Sequence, residues 1–251
     1  MNDAVLCEIS GGVATVTLNQ PDSRNAMTPA LLDGLGASID ATASDDSVRV
    51  IVLTNNGPAF SAGADLKRGG LAPSKFDLPQ ILAAIQDAPK PVVGRIAGHC
   101  MGGGVGLAAV CDISIARSDV RFGFTEVRIG AAPAIISVVC LPKMRRGDAL
   151  ELFLSGERIT AERARQVGLI NFVAVEDQFD AQVGSIIGKL QAGGPLALAA
   201  SKRLVRDVPG LDRETAFSRT AQTSQQLFSS PEAQEGMAAF REKRPPSWAP
   251  E

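Results

Sequence analysis

The sequence predicts an α/β protein with a helical C-terminal part, and three observations support this prediction. Short β-rich runs alternate with helical patterns in the first half, two glycine-containing loops follow strand-like runs, and the chain from Arg145 onward is mostly helical. A β-rich part followed by a run of helices indicates a core with an attached helical module. We place the boundary at residue 194, which gives a core over residues 1–194 and a helical module over residues 195–251.

The first elements are indicated by alternation, turns and caps. Residues 5–9 and 13–18 are β-rich and are separated by two glycines, which predicts a hairpin. Thr28 before Pro29 is typical of a helix start, with threonine as the N-cap and proline at the first helical position. Apolar residues then recur on one helical face, at Leu31, Leu32, Leu35 and Ile39.

The middle of the chain repeats a unit of two strands and a helix. Two near-continuous apolar runs, residues 48–54 and 91–97, are typical of strands that are buried on both faces. Two helices and a third pair of strands are predicted over residues 78–85, 103–110, 113–116 and 121–124. In the C-terminal part, Gly194-Pro195 and Pro209-Gly210 separate three segments, and helices are predicted over residues 212–228 and 231–243.

Composition and charge exclude several classes of function. The 25 basic and 27 acidic residues nearly balance, which argues against a nucleic-acid or membrane-surface partner. The N-terminus lacks the pattern of a secretory signal, and no stretch is apolar for long enough to span a membrane. We therefore expect a cytoplasmic protein. Its cysteines show no CxxC or Cys/His spacing, so we expect small, reduced hydrophobic residues at Cys7, Cys100, Cys111 and Cys140.

Two glycine-containing loops are the most informative feature of the chain. They span residues 61–65 and 101–106, and each lies between a strand-like run and a helical pattern. Such turns leave backbone N–H groups without intrahelical partners, so an anion can bind there. Two such loops that converge would form an oxyanion hole, which stabilises negative charge on a carbonyl oxygen. Neither GxGxxG nor GxxxxGK[ST] is present, so nucleotide-binding fingerprints are lacking.

Short motifs occur along nearly the whole chain, at residues 16–21, 24–26, 50–54, 59–66, 90–93, Gly98, 102–106, 111–113, 122–130, 154–157, Ala164, 168–169, 235–237, Phe240 and 242–244. The order of these motifs resembles the crotonase (enoyl-CoA hydratase/isomerase) superfamily, most closely a bacterial hydratase-like subgroup with one glutamate. The resemblance implies a spiral of ββα units, the crotonase/ClpP-like core, with a C-terminal helical trimerisation module. It also implies an acyl-CoA substrate, a homotrimer or dimer of trimers (a hexamer), and no separate cofactor, because CoA enters as part of the thioester.

The resemblance assigns the catalytic groups by motif position. The backbone N–H groups of Ala64 and Gly103 would hold the thioester oxygen of an enolate, and Glu126 would be the acid/base. Apolar residues flank Glu126, and such a setting desolvates a carboxylate and raises its pKa. Hydratases with two glutamates carry the second one at the position of Gly106. This chain therefore retains one of the two carboxylates, and residues 131–135 offer no other acid.

CoA binding is also assigned by motif position. The residues expected to contact CoA are Arg24, Ala26, Ala62, Asp65, Leu66 and Lys67, with Phe240 and Lys243 reaching CoA bound to a neighbouring subunit. Asp65 is expected to cap the helix after the first loop. Residues 67–79, rich in glycine, proline and charge, predict a surface loop, and in relatives this region shapes the acyl pocket. His99, the only histidine, is expected to have a structural role, and no metal site is expected.

Three functions fit these residues. We favour an enoyl-CoA hydratase of lipid (fatty acid) metabolism that uses Glu126 alone, because the local motifs resemble those of bacterial hydratases. A Δ3-Δ2-enoyl-CoA isomerase is the alternative, since moving a double bond needs one carboxylate that takes a proton from C2 and gives it to C4. A non-catalytic acyl-CoA-binding protein is the alternative from another class, because Gly106 replaces one acid. An idle buried carboxylate is costly, and this disfavours the non-catalytic alternative.

Overall fold

The computed structural model describes residues 4–68 and 73–249 of the chain. Within these ranges it contains ten strands in two sheets and ten α-helices, so the predicted α/β class with a helical C-terminal part is confirmed. Residues 69–72 of the predicted surface loop lie outside the described residues. The loop also ends earlier than predicted, because a helix begins at Leu78.

The strands are numbered in chain order. They are Val5–Ser10 (β1), Val13–Leu18 (β2), Val50–Asn55 (β3), Ala59–Ser61 (β4), Val92–Ile96 (β5), His99–Met101 (β6), Ile113–Arg117 (β7), Arg121–Gly123 (β8), Arg158–Thr160 (β9) and Phe172–Ala174 (β10). The helices are Pro29–Ser44 (α1), Leu78–Asp87 (α2), Gly103–Val110 (α3), Ala134–Cys140 (α4), Arg146–Ser155 (α5), Ala161–Gln166 (α6), Glu176–Gln191 (α7), Pro195–Asp207 (α8), Arg213–Phe228 (α9) and Pro231–Glu242 (α10).

The larger sheet has the strand order β1-β2-β3-β5-β7-β10. The hairpin of β1 and β2 is antiparallel, as predicted, and the strands from β2 to β10 run parallel. The smaller sheet has the order β4-β6-β8-β9, and only β9 is antiparallel to its neighbour. Parallel neighbours place their carboxyl ends at one edge of a sheet, and the ends of β4 and β6 therefore lie side by side.

The predicted third pair of strands is not a pair. Strands β7 and β8 belong to different sheets, and the same division separates β3 from β4 and β5 from β6. Each ββα unit thus sends its first strand to the larger sheet and its second to the smaller one, which winds the chain into a spiral. The three-residue strands β4, β6, β9 and β10 were not predicted, because three residues are too few to show an alternation of apolar and polar side chains.

The larger sheet is covered on both faces. Strand β3 is buried throughout; Ile51 and Leu53 belong to the main apolar cluster with α1, α2 and α3. Val50 and Val52 point to the opposite face and pack in a second cluster with residues of α7. Successive side chains of a strand point to opposite faces, and both faces of β3 are covered. This explains why residues 50–53 are all apolar.

The predicted start of α1 is confirmed. The Oγ1 atom of Thr28 accepts a hydrogen bond from the Leu31 N–H at 3.2 Å, and Pro29 is the first helical residue. The predicted apolar face is buried at Leu31, Leu32, Leu35 and Ile39. An N-cap of this kind typically contributes about 1 kcal/mol to helix stability.

The C-terminal helices are attached to the core by buried or half-buried cations. Lys202 of α8 donates to the Ile85 carbonyl at 2.8 Å and pairs with Asp112 at 2.8 Å. Arg49 of the core donates to the Gly193 carbonyl at 2.8 Å and to the Trp248 carbonyl at 2.9 Å. No helix of the described residues is long and apolar enough to span a membrane.

The four cysteines do not behave alike. Cys100, Cys111 and Cys140 are buried free thiols, and burial raises the pKa of Cys111 and of Cys140 to about 12. These three are small hydrophobic core residues, as expected. The same expectation is wrong for Cys7, which is exposed because β1 lies at the edge of the larger sheet with one buried residue.

Candidate active site

The two glycine loops meet at their backbones. A methyl group placed on Gly63 would lie 3.1 Å from the Gly103 nitrogen and 2.8 Å from the Met101 carbonyl oxygen. A methyl group on Gly104 would lie only 2.3 Å from the Ser61 carbonyl oxygen. The predicted convergence is therefore a direct contact, and side chains at these positions would push the loops apart.

The turn of the second loop requires glycine. Gly102 has a φ of 52° and a ψ of −125°, a combination that residues with a β-carbon adopt only under strain. Its N–H donates to the Gly123 carbonyl at 2.9 Å, which ties the turn to β8. The α3 helix then begins at Gly103, so its positive dipole end points at this place.

Asn25 holds the first loop, and sequence reasoning missed it as a positioning residue. Its side chain is fully buried, donates to the Ala59 carbonyl at 2.8 Å and accepts from the Gln20 N–H at 2.7 Å. Its own carbonyl accepts from the Ser61 hydroxyl at 2.7 Å, and that hydroxyl accepts from the Gly63 N–H at 3.1 Å. The only sign of this role in the sequence is that Asn25 is a polar residue in the motif at residues 24–26.

Ala64 and Gly103 both line the same cavity. Across the part of the chain that the structure describes, neither backbone N–H donates to a protein acceptor. The loop around Ala64 is fixed by the neighbouring Met27 N–H, which donates to the Gly63 carbonyl at 2.8 Å. Two fixed donors without acceptors, one of them at a helix N-terminus, can stabilise an anion.

Glu126 lies beside these donors. It belongs to a 3-10 helix, Thr125–Ile129, that follows β8, and its Oε1 atom is 3.3 Å from the point that a β-carbon of Gly102 would occupy. Its Oε2 atom is buried and has no hydrogen-bond partner among the described residues. Burial raises the pKa of Glu126 above its ordinary value, and a hydrogen bond from its own backbone opposes this shift.

These groups share one cavity of about 570 Å³. It is lined by four segments: Ala62, Ala64 and Leu66; Gly102 and Gly103; Thr125, Glu126, Arg128 and Ile129; Gly156, Glu157 and Arg158. Arg128, Glu157 and Arg158 had no predicted role, although the first two lie in the matching motifs at residues 122–130 and 154–157. The cavity combines a carboxylate, two backbone donors and apolar walls, a combination typical of a small-molecule site.

The position of the missing second glutamate is closed by an apolar side chain. Gly106 is buried in α3, and a methyl group placed on it would lie 2.3 Å from Cγ2 of Ile136 in α4. Neither residue lines the cavity. Glu157 does line it and is exposed, so the cavity has a second carboxylate at a different place.

The structure separates the residues expected to contact CoA into three groups. Ala62 and Leu66 line the main cavity. Arg24 lines an adjoining cavity of about 280 Å³ together with His99, and the two cavities share Ala62 and Arg158. The other residues near the first loop lie elsewhere: Asp65 and Lys67 line a third cavity, of about 510 Å³, and Ala26 is buried.

Asp65 caps the helical turn that follows the first loop, as expected. Its side chain accepts a hydrogen bond from the Lys67 N–H at 3.2 Å, at the start of the 3-10 helix Leu66–Arg68. The second loop is followed by an α-helix, α3.

Phe240 and Lys243 do not join the site within one chain. Phe240 is 85% exposed on α10 and lines a separate cavity of about 460 Å³ with Met237 and Trp248. Lys243 follows the last residue of α10 in the left-handed conformation, with a φ of 54°. Neither residue lines the cavity that holds Glu126.

His99 has the expected structural contact. Its Nδ1 atom accepts a hydrogen bond from the Arg121 N–H at 3.1 Å, which joins β6 to β8. Within residues 4–68 and 73–249, no three histidine, cysteine, aspartate or glutamate side chains are grouped as metal ligands. Glu126 beside the donors of Ala64 and Gly103 can transfer a proton next to a stabilised anion.

The fold and this site define the class of protein, an enzyme built on ββα units with a carboxylate beside a pair of anion-stabilising backbone donors. Residues 8–251 match the enoyl-CoA hydratase/isomerase family, and the chain belongs to this family. The resemblance to crotonases is thereby confirmed, and the substrate class is acyl-CoA thioesters.

Relatives and solved structures agree with this assignment. The chain is 34% identical over 241 residues to 2,3-dehydroadipyl-CoA hydratase from Escherichia coli, with 94% of each chain covered. It is 30% identical over 248 residues to short-chain-enoyl-CoA hydratase from Clostridium acetobutylicum, with 96% of this chain and 95% of the relative covered. The crystal structure of an enoyl-CoA hydratase from Mycobacterium smegmatis matches with a TM-score of 0.91 at 33% identity, with 98% of each chain covered.

Proposed function

We propose that this protein is an enoyl-CoA hydratase that adds water to a 2-enoyl-CoA, with Glu126 as its sole carboxylate acid/base. The observation that carries this proposal is the position of the Glu126 carboxylate, which lies beside the Gly102 turn with a buried oxygen that has no partner. The proposal is also supported by the names of the relatives, which are hydratases.

The Ala64 and Gly103 N–H groups bind the thioester oxygen. When water adds to C3, the electron pair of the double bond moves towards C2 and negative charge develops on this oxygen. Fixed donors bind that charge more strongly than they bind the neutral carbonyl, and so they lower the barrier. Losing one such donor typically costs about 3 kcal/mol of transition-state stabilisation.

Glu126 carries the proton in both halves of the reaction. As a carboxylate it takes a proton from the attacking water, whose oxygen bonds to C3. The resulting enolate is then protonated at C2 by the same carboxyl group, which returns Glu126 to its ionised form. One O–H bond of water and the π bond between C2 and C3 break, a C3–O and a C2–H bond form, and no cofactor is needed. The raised pKa of Glu126 suits both directions of transfer.

CoA binding is proposed for the residues around the first loop. Ala62 and Leu66 contact the pantetheine arm in the main cavity, and Arg24 binds a phosphate in the adjoining one, since its side chain is exposed there. Asp65 and Lys67 contact the adenine end from the third cavity, together with the backbone of the buried Ala26. An arginine suits phosphate because its planar fork forms two parallel hydrogen bonds.

A trimer or a dimer of trimers is proposed for the assembly, with residues 195–251 as the module that forms the contacts. The C-terminal helices carry exposed aromatic residues at Phe217, Phe228 and Phe240, which contacts between subunits would bury. In such an assembly, Phe240 and Lys243 reach CoA bound to a neighbouring subunit. This accounts for their distance from the cavity of their own chain.

The Δ3-Δ2-enoyl-CoA isomerase is the second candidate, and one observation favours it. The second acid position is closed by the Ile136 side chain, so no carboxylate at residue 106 can orient a water molecule. Shifting a double bond needs only one carboxylate and works best when water is excluded. A non-catalytic acyl-CoA-binding protein is disfavoured, because it would leave the buried oxygen of Glu126 without a use.

Two substrates separate these functions. With crotonyl-CoA, a hydratase removes the ultraviolet absorbance of the conjugated thioester. With 3-hexenoyl-CoA, an isomerase creates that absorbance. We expect loss of the crotonyl-CoA signal and formation of 3-hydroxybutyryl-CoA. A gain of signal from 3-hexenoyl-CoA, without hydration of crotonyl-CoA, would make the isomerase the function. CoA binding with neither change would indicate the non-catalytic protein.

A further inference from the structure

Where two helices pack together, the smallest residue, Gly106, lies opposite a large one, Ile136. Gly106 lies in α3 and Ile136 in α4, and both are buried in the main apolar cluster or beside it. A β-carbon added at residue 106 would lie 2.3 Å from Cγ2 of Ile136, 2.9 Å from its Cβ and 3.7 Å from its Cα. The two nearer distances are shorter than real contacts allow, and the third is an ordinary van der Waals distance.

Ile136 cannot move aside easily. It is β-branched, and such side chains have one strongly preferred rotamer in a helix. The atom that blocks residue 106 is attached directly to the Cβ, so rotation about a distal bond does not remove it. Dense packing in the core opposes a shift of the helix itself. The obstacle at residue 106 is therefore fixed.

Residue 106 lies on the face of α3 that also carries Gly103. It is three residues after Gly103, which lines the cavity. Helical Cα–Cβ bonds tilt towards the helix N-terminus, which for α3 is the end at the cavity. Helix α4 is also near Glu126, since the charge of Glu126 helps to raise the pKa of Cys140.

We propose that Ile136 is the residue that limits this site to a single acid. Its side chain occupies the space in which a carboxylate at residue 106 would stand beside Glu126. The distances show which substitutions at residue 136 make room for a side chain at residue 106. Alanine at residue 136 keeps a Cβ, 2.9 Å from the added β-carbon of residue 106, whereas glycine leaves only the Cα, 3.7 Å from it. This inference rests on the proposed function for its catalytic meaning, whereas the steric coupling of the two positions does not depend on it.

The steric part is tested by unfolding. Gly106→Ala is introduced with isoleucine, alanine or glycine at residue 136, and the Tm of each variant is compared with that of its own parent. We expect Gly106→Ala to lower the Tm by about 5 °C or more with isoleucine, by less with alanine, and by almost nothing with glycine. Gly184→Ala is the matched control, because Gly184 is exposed on α7 with open space around it, and should not lower the Tm in any background.

The catalytic part is tested by combining Gly106→Glu with Ile136→Gly and measuring hydration of crotonyl-CoA. Two carboxylates share the work of orienting water and delivering the proton, so we expect kcat/KM at least tenfold above that of either single variant. A second carboxylate close to Glu126 also raises the pKa of the pair, because like charges disfavour ionisation. The acidic limb of the pH profile should therefore move to higher pH in the double variant alone.

The two readouts distinguish a failed inference from a failed proposed function. An equal loss of Tm in all three backgrounds overturns the steric role of Ile136, whatever the enzyme catalyses. A double variant that is no more active than the single variants, and that has an unmoved pH profile, overturns its catalytic role. If the parent does not hydrate crotonyl-CoA but the Tm series follows the expected order, the hydratase proposal fails and the steric inference stands.

Discussion

Glu126 lies against the turn at Gly102, with its Oε1 atom 3.3 Å from the point that a β-carbon of residue 102 would occupy. This contact joins the two parts of the site, because Gly102 precedes the N–H donor of Gly103. The carboxylate and the anion-binding donors are therefore positioned by the same few backbone atoms. A change at residue 102 should disturb both.

Gly102→Ala is predicted to impair catalysis more than folding. Alanine at the φ of 52° and ψ of −125° of Gly102 costs about 1–3 kcal/mol, and its β-carbon would push on the Glu126 carboxylate. Since small displacements of catalytic groups cost about 100-fold in rate, we expect kcat to fall by that order while the protein stays folded. Steady-state kinetics and thermal unfolding measure the two effects. An unchanged kcat would mean that Gly102 does not position the site.

Asn25→Ala is predicted to destabilise the protein by about 2 kcal/mol or more. Asn25 is fully buried, and its loss leaves the Gln20 N–H and the Ala59 carbonyl without their partner. Urea unfolding measures the change in the free energy of unfolding. The matched control is Asn56→Ala, because Asn56 is exposed, and it should change that free energy by less than about 0.5 kcal/mol. Equal effects of the two substitutions would contradict the role given to Asn25.

Lys202→Met is predicted to loosen the C-terminal helices. The Lys202 side chain is only 12% exposed and pairs with Asp112, whose pKa is raised by burial and lowered by this lysine. Without the lysine, Asp112 is a poorly compensated buried charge, and a loss of about 3 kcal/mol is expected. Limited proteolysis should then cut near residue 194 first. Lys189→Met, at an exposed position on α7, is the control and should leave proteolysis unchanged.

The pH dependence of stability should report Glu126. Burial raises its pKa in the folded state, so the folded protein binds this proton more tightly than the unfolded chain does. Its contribution to stability is present below the ordinary pKa of about 4.5 and is lost as the pH rises through the folded value. Glu126→Gln cannot ionise, so its stability relative to the parent should increase from pH 4 to pH 8. If the unfolding free energies of the parent and of Glu126→Gln change by the same amount from pH 4 to pH 8, the raised pKa of Glu126 is contradicted.

Local patterns in the sequence were sufficient for much of the fold. The cap at Thr28 and Pro29 and the apolar face of α1 appeared as predicted, because they depend on neighbours in the chain. The pairing of β7 with β8 was predicted wrongly, since the sheet that a short strand joins is decided by distant strands.

The candidate site was predictable where a motif covered it. Ala64, Gly103 and Glu126 were identified from motif order, and the structure brings all three to one cavity. Asn25 and Ile136 were not identified, because a buried amide and a buried isoleucine have no local signature of the contacts that they make. Glu157 also lines the cavity, and it provides a matched control for Glu126.

The most direct test of the account compares Glu126→Gln with Glu157→Gln in crotonyl-CoA hydration, since both remove a carboxylate from the same cavity. We predict that Glu126→Gln binds CoA normally but loses hydration by at least about 100-fold, whereas Glu157→Gln stays within about threefold of the parent. Full activity in Glu126→Gln, or an equal loss in Glu157→Gln, would contradict the claim that Glu126 is the sole acid/base.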